Sequence, residues 1–148
     1  MKTVTGDLIN LAQAGAFDVI AHGCNCMCTM GAGIAAPIRK AWPEAYAADR
    51  ETGKGDRNKL GTCSQAEVQQ GELTIVNAYT QFDYRGKGVK VDYEAVASCM
   101  GWIRQQHSGK RIGLPKIGAG LAGGDWPRIE AIIIRELAGE DVTIVEFG

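Results

Sequence analysis

The chain carries no excess of positive charge. Lys and Arg number 16 against 17 Asp and Glu, a formal net charge of −1, and the basic residues are scattered along the sequence. Without a basic stripe the electrostatic footprint of a nucleic-acid binder is missing, so nucleic acid is not expected as a partner. Long apolar runs are missing too. The opening MKTVTGDL has no signal-peptide core. The longest strongly apolar stretch, Ala131 to Ile134, is far too short to cross a bilayer, so no membrane partner is expected. No linker, repeat or low-complexity tract divides the chain, and residues 1–148 are expected to form one domain. Cysteine is present in an odd number, five, and three of the five fall between Cys24 and Cys28. Neighbours that close do not make a disulfide framework, which points to a reduced, cytoplasmic protein.

What is present begins with that cluster, His22-Gly-Cys-Asn-Cys-Met-Cys-Thr-Met-Gly-Ala-Gly-Ile34. Structural zinc sites space paired ligands as Cys-x2-4-Cys, whereas here the pattern is Cys-x-Cys-x-Cys, and His22, Cys63, Cys99 and His107 offer no second pair. No metal is expected. A cysteine-phosphatase loop needs an Arg six residues after the thiol, but Met30, Ala32 and Ile34 occupy those positions. The thiols are therefore read as small apolar packing groups.

Periodicity supplies the elements. Phe17 to His22 reads as a short buried strand. Ile34 to about Ala48 reads as a helix, with Ile34, Ile38 and Trp42 on one stripe. Glu51 to Asn58 is polar and reads as an exposed loop. Leu60–Val68 and Glu72–Tyr79 read as paired strands around a Gln70-Gly71 turn. Asp92 to about His107 is helical, with Val96, Met100 and Ile103 inward, and Lys110–Ile117 is a strand. The segment Trp126–Leu137 is an amphipathic helix with Asp125 as its N-cap and Pro127 in its first turn. Asp141–Phe147 is a closing strand. Alternating strands and helices predict an α/β fold, a three-layer α/β/α sandwich around a mixed, mostly parallel sheet.

Two glycine loops stand between a strand and a helix: Met30-Gly-Ala-Gly-Ile34 and Lys116-Ile-Gly-Ala-Gly-Leu-Ala-Gly-Gly-Asp-Trp126. Glycine lets backbone approach a ligand, and free amides near a helix start attract phosphate. In a parallel sheet such loops share one crevice at the carboxyl ends of the strands, where a diphosphate would fit. Both loops match G-x-G-x-x-G/A nominally. The acidic partner of a dinucleotide site is absent at the end of a second strand, since Asp49, Glu51 and Asp56 fall in helix or polar loop. No Gly-Lys-Ser or Gly-Lys-Thr follows either loop, which excludes a P-loop.

Thr5-Gly-Asp-Leu8, a strand running into Asn25, the first glycine loop, then Leu114-Pro-Lys-Ile-Gly-Ala-Gly-Leu121 and Gly-Gly-Asp-Trp126 occur in an order that resembles a macro domain, the ADP-ribose-binding fold. The likeness spans nearly the whole chain and is greatest to the branch of ADP-ribose-1″-phosphate phosphatases and related ADP-ribosyl hydrolases. The resemblance implies a small-molecule ligand, ADP-ribose or a derivative, and no cofactor. It implies that Asp7, followed by Leu8, reads the adenine amine. Asn25 would meet the distal ribose. Met30, Gly31, Gly33 and Ile34 would line that ribose and phosphate, while Gly118, Ala119, Gly120 and Leu121 wrap the diphosphate. Asp125 would position a water near C1″. The residues themselves allow plainer roles: Asp7 and Asp125 as helix N-caps, Asn25 as a turn residue, His22 as a packed strand-end histidine.

One departure matters. Where the macromolecule-directed branch often has Lys after Thr, this chain has Thr80-Gln81, with Lys87 and Lys90 out of register. Glutamine cannot act as an amine nucleophile. The expectation is therefore binding of ADP-ribose with hydrolysis of ADP-ribose-1″-phosphate to ADP-ribose and phosphate. The alternatives are a non-catalytic binding module and a hydrolase acting on ADP-ribosylated macromolecules.

Overall fold

The computed structural model describes residues 1–148. Its sheet has six strands: β1 (Lys2–Gly6), β2 (Val19–Cys24), β3 (Cys63–Val68), β4 (Leu73–Tyr79), β5 (Arg111–Leu114) and β6 (Asp141–Phe147). They lie in the order β1-β6-β5-β2-β4-β3, parallel throughout except for the antiparallel β3–β4 hairpin. Helices α1 (Leu8–Gln13), α2 (Ala35–Ala41) and α3 (Pro43–Arg50) cover one face, and α4 (Tyr93–His107) and α5 (Trp126–Glu136) cover the other.

The pleat explains the two cores. Successive side chains of a strand point to opposite faces. On β2, Val19 and Ala21 join Val96, Met100, Ile103, Ile129 and Ile133 of α4 and α5, while Ile20 and Cys24 join Leu8, Ile38, Trp42 and Ala45. Both faces of the sheet are thus buried, and the three-layer α/β/α expectation matches. No helix is long and apolar enough to cross a membrane.

Several boundaries differ from the sequence expectations for identifiable reasons. The helix expected over 34–48 is two helices, because Pro43 has no amide proton and drives Trp42 out of the helical region, to φ −135° and ψ 84°. Pro43 then opens α3. The strand expected over 110–117 stops at Leu114, since Pro115 cannot donate to the ladder. Strand β2 begins at Val19 rather than Phe17. Phe17 instead packs on Gly113, where a Cβ would lie only 2.7 Å from its ring. The opening strand β1 lacks an apolar signature because it is an edge strand whose residues stay largely exposed.

Candidate ligand-binding cleft

Strands β5, β2 and β4 are parallel neighbours, so their carboxyl ends meet at one rim. A cavity of about 490 Å³ opens there, a size suited to a small-molecule ligand. Its wall is built from the segment after β2 (Asn25 to Ala35), the segment after β4 (Thr80, Gln81, Tyr84) and the segment after β5 (Pro115 to Ala122). The two glycine loops therefore lie on opposite sides of one cleft. They come close together: a Cβ added to Gly33 would lie 3.6 Å from Leu121 Cδ1.

The loops present donors. The amides of Gly31, Gly33, Ile34, Gly118 and Leu121 donate to no protein acceptor. Gly118 has φ +75°, and a Cβ there would meet Val91 Cγ2 at 2.7 Å, so glycine is needed for both reasons. The turn is closed by the Gly124 amide donating to the Gly118 carbonyl at 2.7 Å. Met30 and Cys28 hold left-handed conformations, with φ 42° and 57°. Such strain is held in place by surrounding packing and concentrates at functional sites.

Of the residues singled out in the sequence, Asn25, Met30, Gly31, Gly33, Ile34, Gly118, Gly120 and Leu121 share the wall. Ala119 does not. Asp7 also lies outside it, at the carboxyl end of β1, where its Oδ1 accepts from the Asn10 amide at 3.0 Å as the N-cap of α1. Strand β1 is separated from β5 by β6 alone. Two strand spacings amount to about 10 Å, so Asp7 stands farther along the same rim. Leu8 is buried in the core beneath it. Asn25 makes a local turn: its Oδ1 accepts from the Met27 amide and its Nδ2 donates to Thr29 Oγ1, both at 2.8 Å.

Asp125 is exposed at the start of α5 and outside the wall. It occupies the N-cap position, yet its side chain makes no capping bond. Instead its amide donates to the Tyr93 hydroxyl at 3.1 Å. The carboxylate is left uncommitted. Gln81 lines the cleft with its Nε2 donating to the Asp83 carbonyl, and Lys87 and Lys90 are not in the wall.

The thiols have separate surroundings. Cys24 Sγ lies 3.6 Å from His22 Nε2, Cys26 Sγ donates to the Gln81 carbonyl at 3.5 Å, and Cys28 Sγ donates to the Asp49 carbonyl at 3.3 Å. Burial pushes the Cys24 thiol well above its ordinary pKa and that of Cys26 up to about 11. These are protonated groups at neutral pH, poor nucleophiles. No three His, Cys, Asp or Glu side chains gather as a metal site would need.

Sequence reasoning missed the two charged residues of the wall, Asp49 and Lys116. Lys116 pairs with Glu146 at 2.8 Å. Asp49 is buried on α3, one turn beyond buried Ala45, and an acidic residue on the inward stripe of a helix was the available signal. Behind it runs a directed chain of hydrogen bonds. His22 Nε2 donates to Asn77 Oδ1 (2.7 Å), and Asn77 Nδ2 donates to Ser64 Oγ (3.1 Å). Ser64 then donates to the Tyr79 hydroxyl (2.8 Å), which donates to Asp49 Oδ1 (2.7 Å). Burial holds His22 neutral, with its pKa down to about 4, and the Asn77 contact opposes that shift only in part. It is a packed, satisfied histidine. Burial also raises the Asp49 pKa, against the Tyr79 hydrogen bond and the charge of Lys59.

A family model described as Macro domain matches residues 21–133. The chain is 35% identical over 154 residues to an uncharacterised 17.5 kDa protein of enterobacteria phage T4, covering 99% of this chain and 96% of that protein. It is 28% identical over 150 residues to an ADP-ribose 1″-phosphate phosphatase of Candida albicans, covering 90% and 91%. Among solved structures, a Bacteroides thetaiotaomicron protein of unknown function aligns with TM-score 0.84 at 27% identity over 98% of this chain and 96% of that one. A Trypanosoma brucei macrodomain in complex with ADP-ribose aligns with TM-score 0.65 at 18% identity over 98% and 62%, a likeness of fold alone.

Proposed function

Because the chain belongs to the macro domain family, we propose that its cleft binds ADP-ribose and that it hydrolyses ADP-ribose-1″-phosphate to ADP-ribose and phosphate. The observation that carries the reading is the facing pair of loops whose amides lack internal acceptors. An anion is the natural ligand for such donors. The Candida phosphatase relative and the ADP-ribose held by the trypanosomal macrodomain support the same ligand class.

In this reading the diphosphate lies between the Gly31–Ile34 and Gly118–Leu121 loops, with Ala119 shaping the turn. The adenine end runs along the rim toward Asp7 and Leu8, and Asn25 orients the distal ribose. Water attacks phosphorus, the bond from phosphorus to the C1″ oxygen breaks, and that oxygen takes a proton from solvent to leave as the sugar hydroxyl. Asp125, uncommitted as a cap, takes the proton from the attacking water once the ligand has filled the cleft. The test is release of inorganic phosphate from ADP-ribose-1″-phosphate by the purified protein. Release is expected, with an Asp125→Ala variant slowed 100-fold or more, on the order expected for losing a general base. No release, or an unchanged rate in the variant, would sink the mechanism.

The exposure of Asp125 outside the wall favours a second reading, a module that binds ADP-ribose without turnover. Affinity for ADP-ribose with no phosphate release would select it. Hydrolysis of ADP-ribosylated macromolecules has less support, because Gln81 stands where an amine would serve.

A further inference from the structure

Lys59 is the one Lys or Arg buried in the chain, and it has no carboxylate partner. It is 6% exposed, and no acidic oxygen lies within 4.0 Å of its Nζ. Asp49, whose carboxyl feels this charge, is farther off. Lysine is almost never so deeply buried unless it is paired, because the charge loses its hydration. What the ammonium meets instead is the turn that leads into the first glycine loop.

The base of the side chain is fixed. Lys59 ends a short 3-10 turn, Arg57–Lys59. Its carbonyl accepts from the Thr62 amide at 2.8 Å and the Thr62 hydroxyl at 2.7 Å, and the Gly61 amide donates to the Tyr79 carbonyl at 2.8 Å. From there the side chain crosses the Tyr79 ring, with Nζ 4.5 Å from its centroid. Nζ then donates to the Cys26 carbonyl at 3.3 Å and to Cys28 Sγ at 3.4 Å. The same sulfur donates to the Asp49 carbonyl of α3, so it joins the lysine to that helix.

These contacts fall where the backbone lacks other support. No helix or strand lies between the end of β2 at Cys24 and the start of α2 at Ala35. Cys28 and Met30 are left-handed there, a conformation that persists only when its surroundings hold it. The two lysine contacts anchor this segment just ahead of the Gly31, Gly33 and Ile34 amides, which donate to no protein acceptor. Lys59 itself does not line the cleft.

We propose that Lys59 is a positioning residue for the diphosphate: its ammonium clamps the Cys26–Cys28 turn and so fixes the direction of the first-loop amides. The assignment rests on the ADP-ribose reading for the identity of the anion, whereas the clamp belongs to the ligand-free chain. Donors already ordered bind an anion more tightly than donors that must be ordered on binding.

Amide relaxation by NMR and calorimetry on the full chain test this with Lys59→Met, which keeps an apolar stem and removes the donor. In the ligand-free wild type both glycine loops are expected to be rigid, with order parameters of about 0.85. In the variant those of residues 28–34 should fall toward about 0.6, while those of residues 118–121 keep their values. ADP-ribose should bind about 10-fold more weakly, the scale of one hydrogen bond from a charged group. Lys59→Arg, which returns a cationic donor, should bind more tightly than Lys59→Met. Cys28→Ala removes one of the two anchor points and carries the same comparison of loops if the Met variant fails to fold. A lysine that serves stability alone would loosen both loops alike, and that result, or an unchanged first loop, overturns the assignment. Wild-type affinity in a variant whose first loop has loosened overturns it too. A wild type that binds no ADP-ribose overturns the ADP-ribose reading and the diphosphate with it, while the order parameters still decide the clamp.

Discussion

The Tyr79 hydroxyl donates to Asp49 Oδ1 at 2.7 Å from a fully buried ring, so the second core of the domain reaches directly into the wall of the cleft. Behind Tyr79, Ser64, Asn77 and His22 each donate toward the carboxylate in turn. A side chain of the cleft wall is thus held by a polar network inside the sheet.

Tyr79→Phe removes the donor to Asp49 and leaves the Ser64 hydroxyl without its acceptor. The expected loss is about 1–3 kcal/mol of unfolding free energy, the cost of orphaning buried polar groups, read by urea titration. A variant as stable as the wild type would show that the network contributes nothing.

Asp49 has a raised pKa, first because it is buried, with the Tyr79 hydroxyl and Lys59 opposing; the nearby thiols of Cys24 and Cys26 stay protonated. The folded state therefore holds the Asp49 proton more tightly than the unfolded chain does. Its stabilising contribution is full below the unfolded pKa and is lost as pH rises through the folded value. Asp49→Asn should consequently equal or exceed the wild type in stability at neutral pH, with the gap closing on acidification. A midpoint series from pH 7 to pH 3 checks it. A gap that widens toward acid contradicts the assignment of burial as the main cause.

Asp18 behaves oppositely. Side-chain and backbone hydrogen bonds from Arg111 hold its pKa down to about 2. The pair, 2.8 Å apart and solvent-facing, ties the start of β2 to β5. Its contribution is present above the unfolded pKa and is lost as pH falls toward 2. Asp18→Asn should narrow the acid range over which the protein stays folded, by a small margin that high salt reduces further.

The glycines of the second loop separate into two kinds. Gly118→Ala meets Val91 at 2.7 Å in a left-handed conformation, so it should cost about 1–3 kcal/mol or more in stability. Gly120→Ala meets nothing within 4 Å and should fold as the wild type does, yet it adds a methyl to the wall and should weaken ADP-ribose. Thermal midpoints paired with titrations separate the two. Equal destabilisation would refute the distinction.

Cys26 is fully buried with its thiol pushed up to about 11. Iodoacetamide at neutral pH should leave phosphate release intact, and Cys26→Ala should keep its rate within about twofold while losing some stability to the small cavity. Inactivation by the reagent would return the thiols to the chemistry.

Much of this was legible in the residues because it is local. Periodicity located α4, α5 and, as one helix, the segment that folds as α2 and α3, together with the β3–β4 hairpin and the closing strand, and glycine spacing located both loops. Proline explains the two clearest boundary differences, at Pro43 and Pro115, where a missing amide proton outweighs apolar pattern. Asp125 illustrates a limit. Its sequence position is that of an N-cap, but whether a side chain bonds the first turn depends on the entry path of the loop, and here it does not.

The sequence by itself determined the α/β alternation and the two glycine loops, since each depends on neighbours a few residues apart. Only the tertiary structure decided that the loops face each other across one cleft and that Asp49 and Thr80, 31 positions apart in sequence, both come to its wall. Strand order brings β5, β2 and β4 side by side. Pairing over such separations leaves no local pattern to read, because the hydrogen bonds that enforce it run between backbones and carry no residue identity.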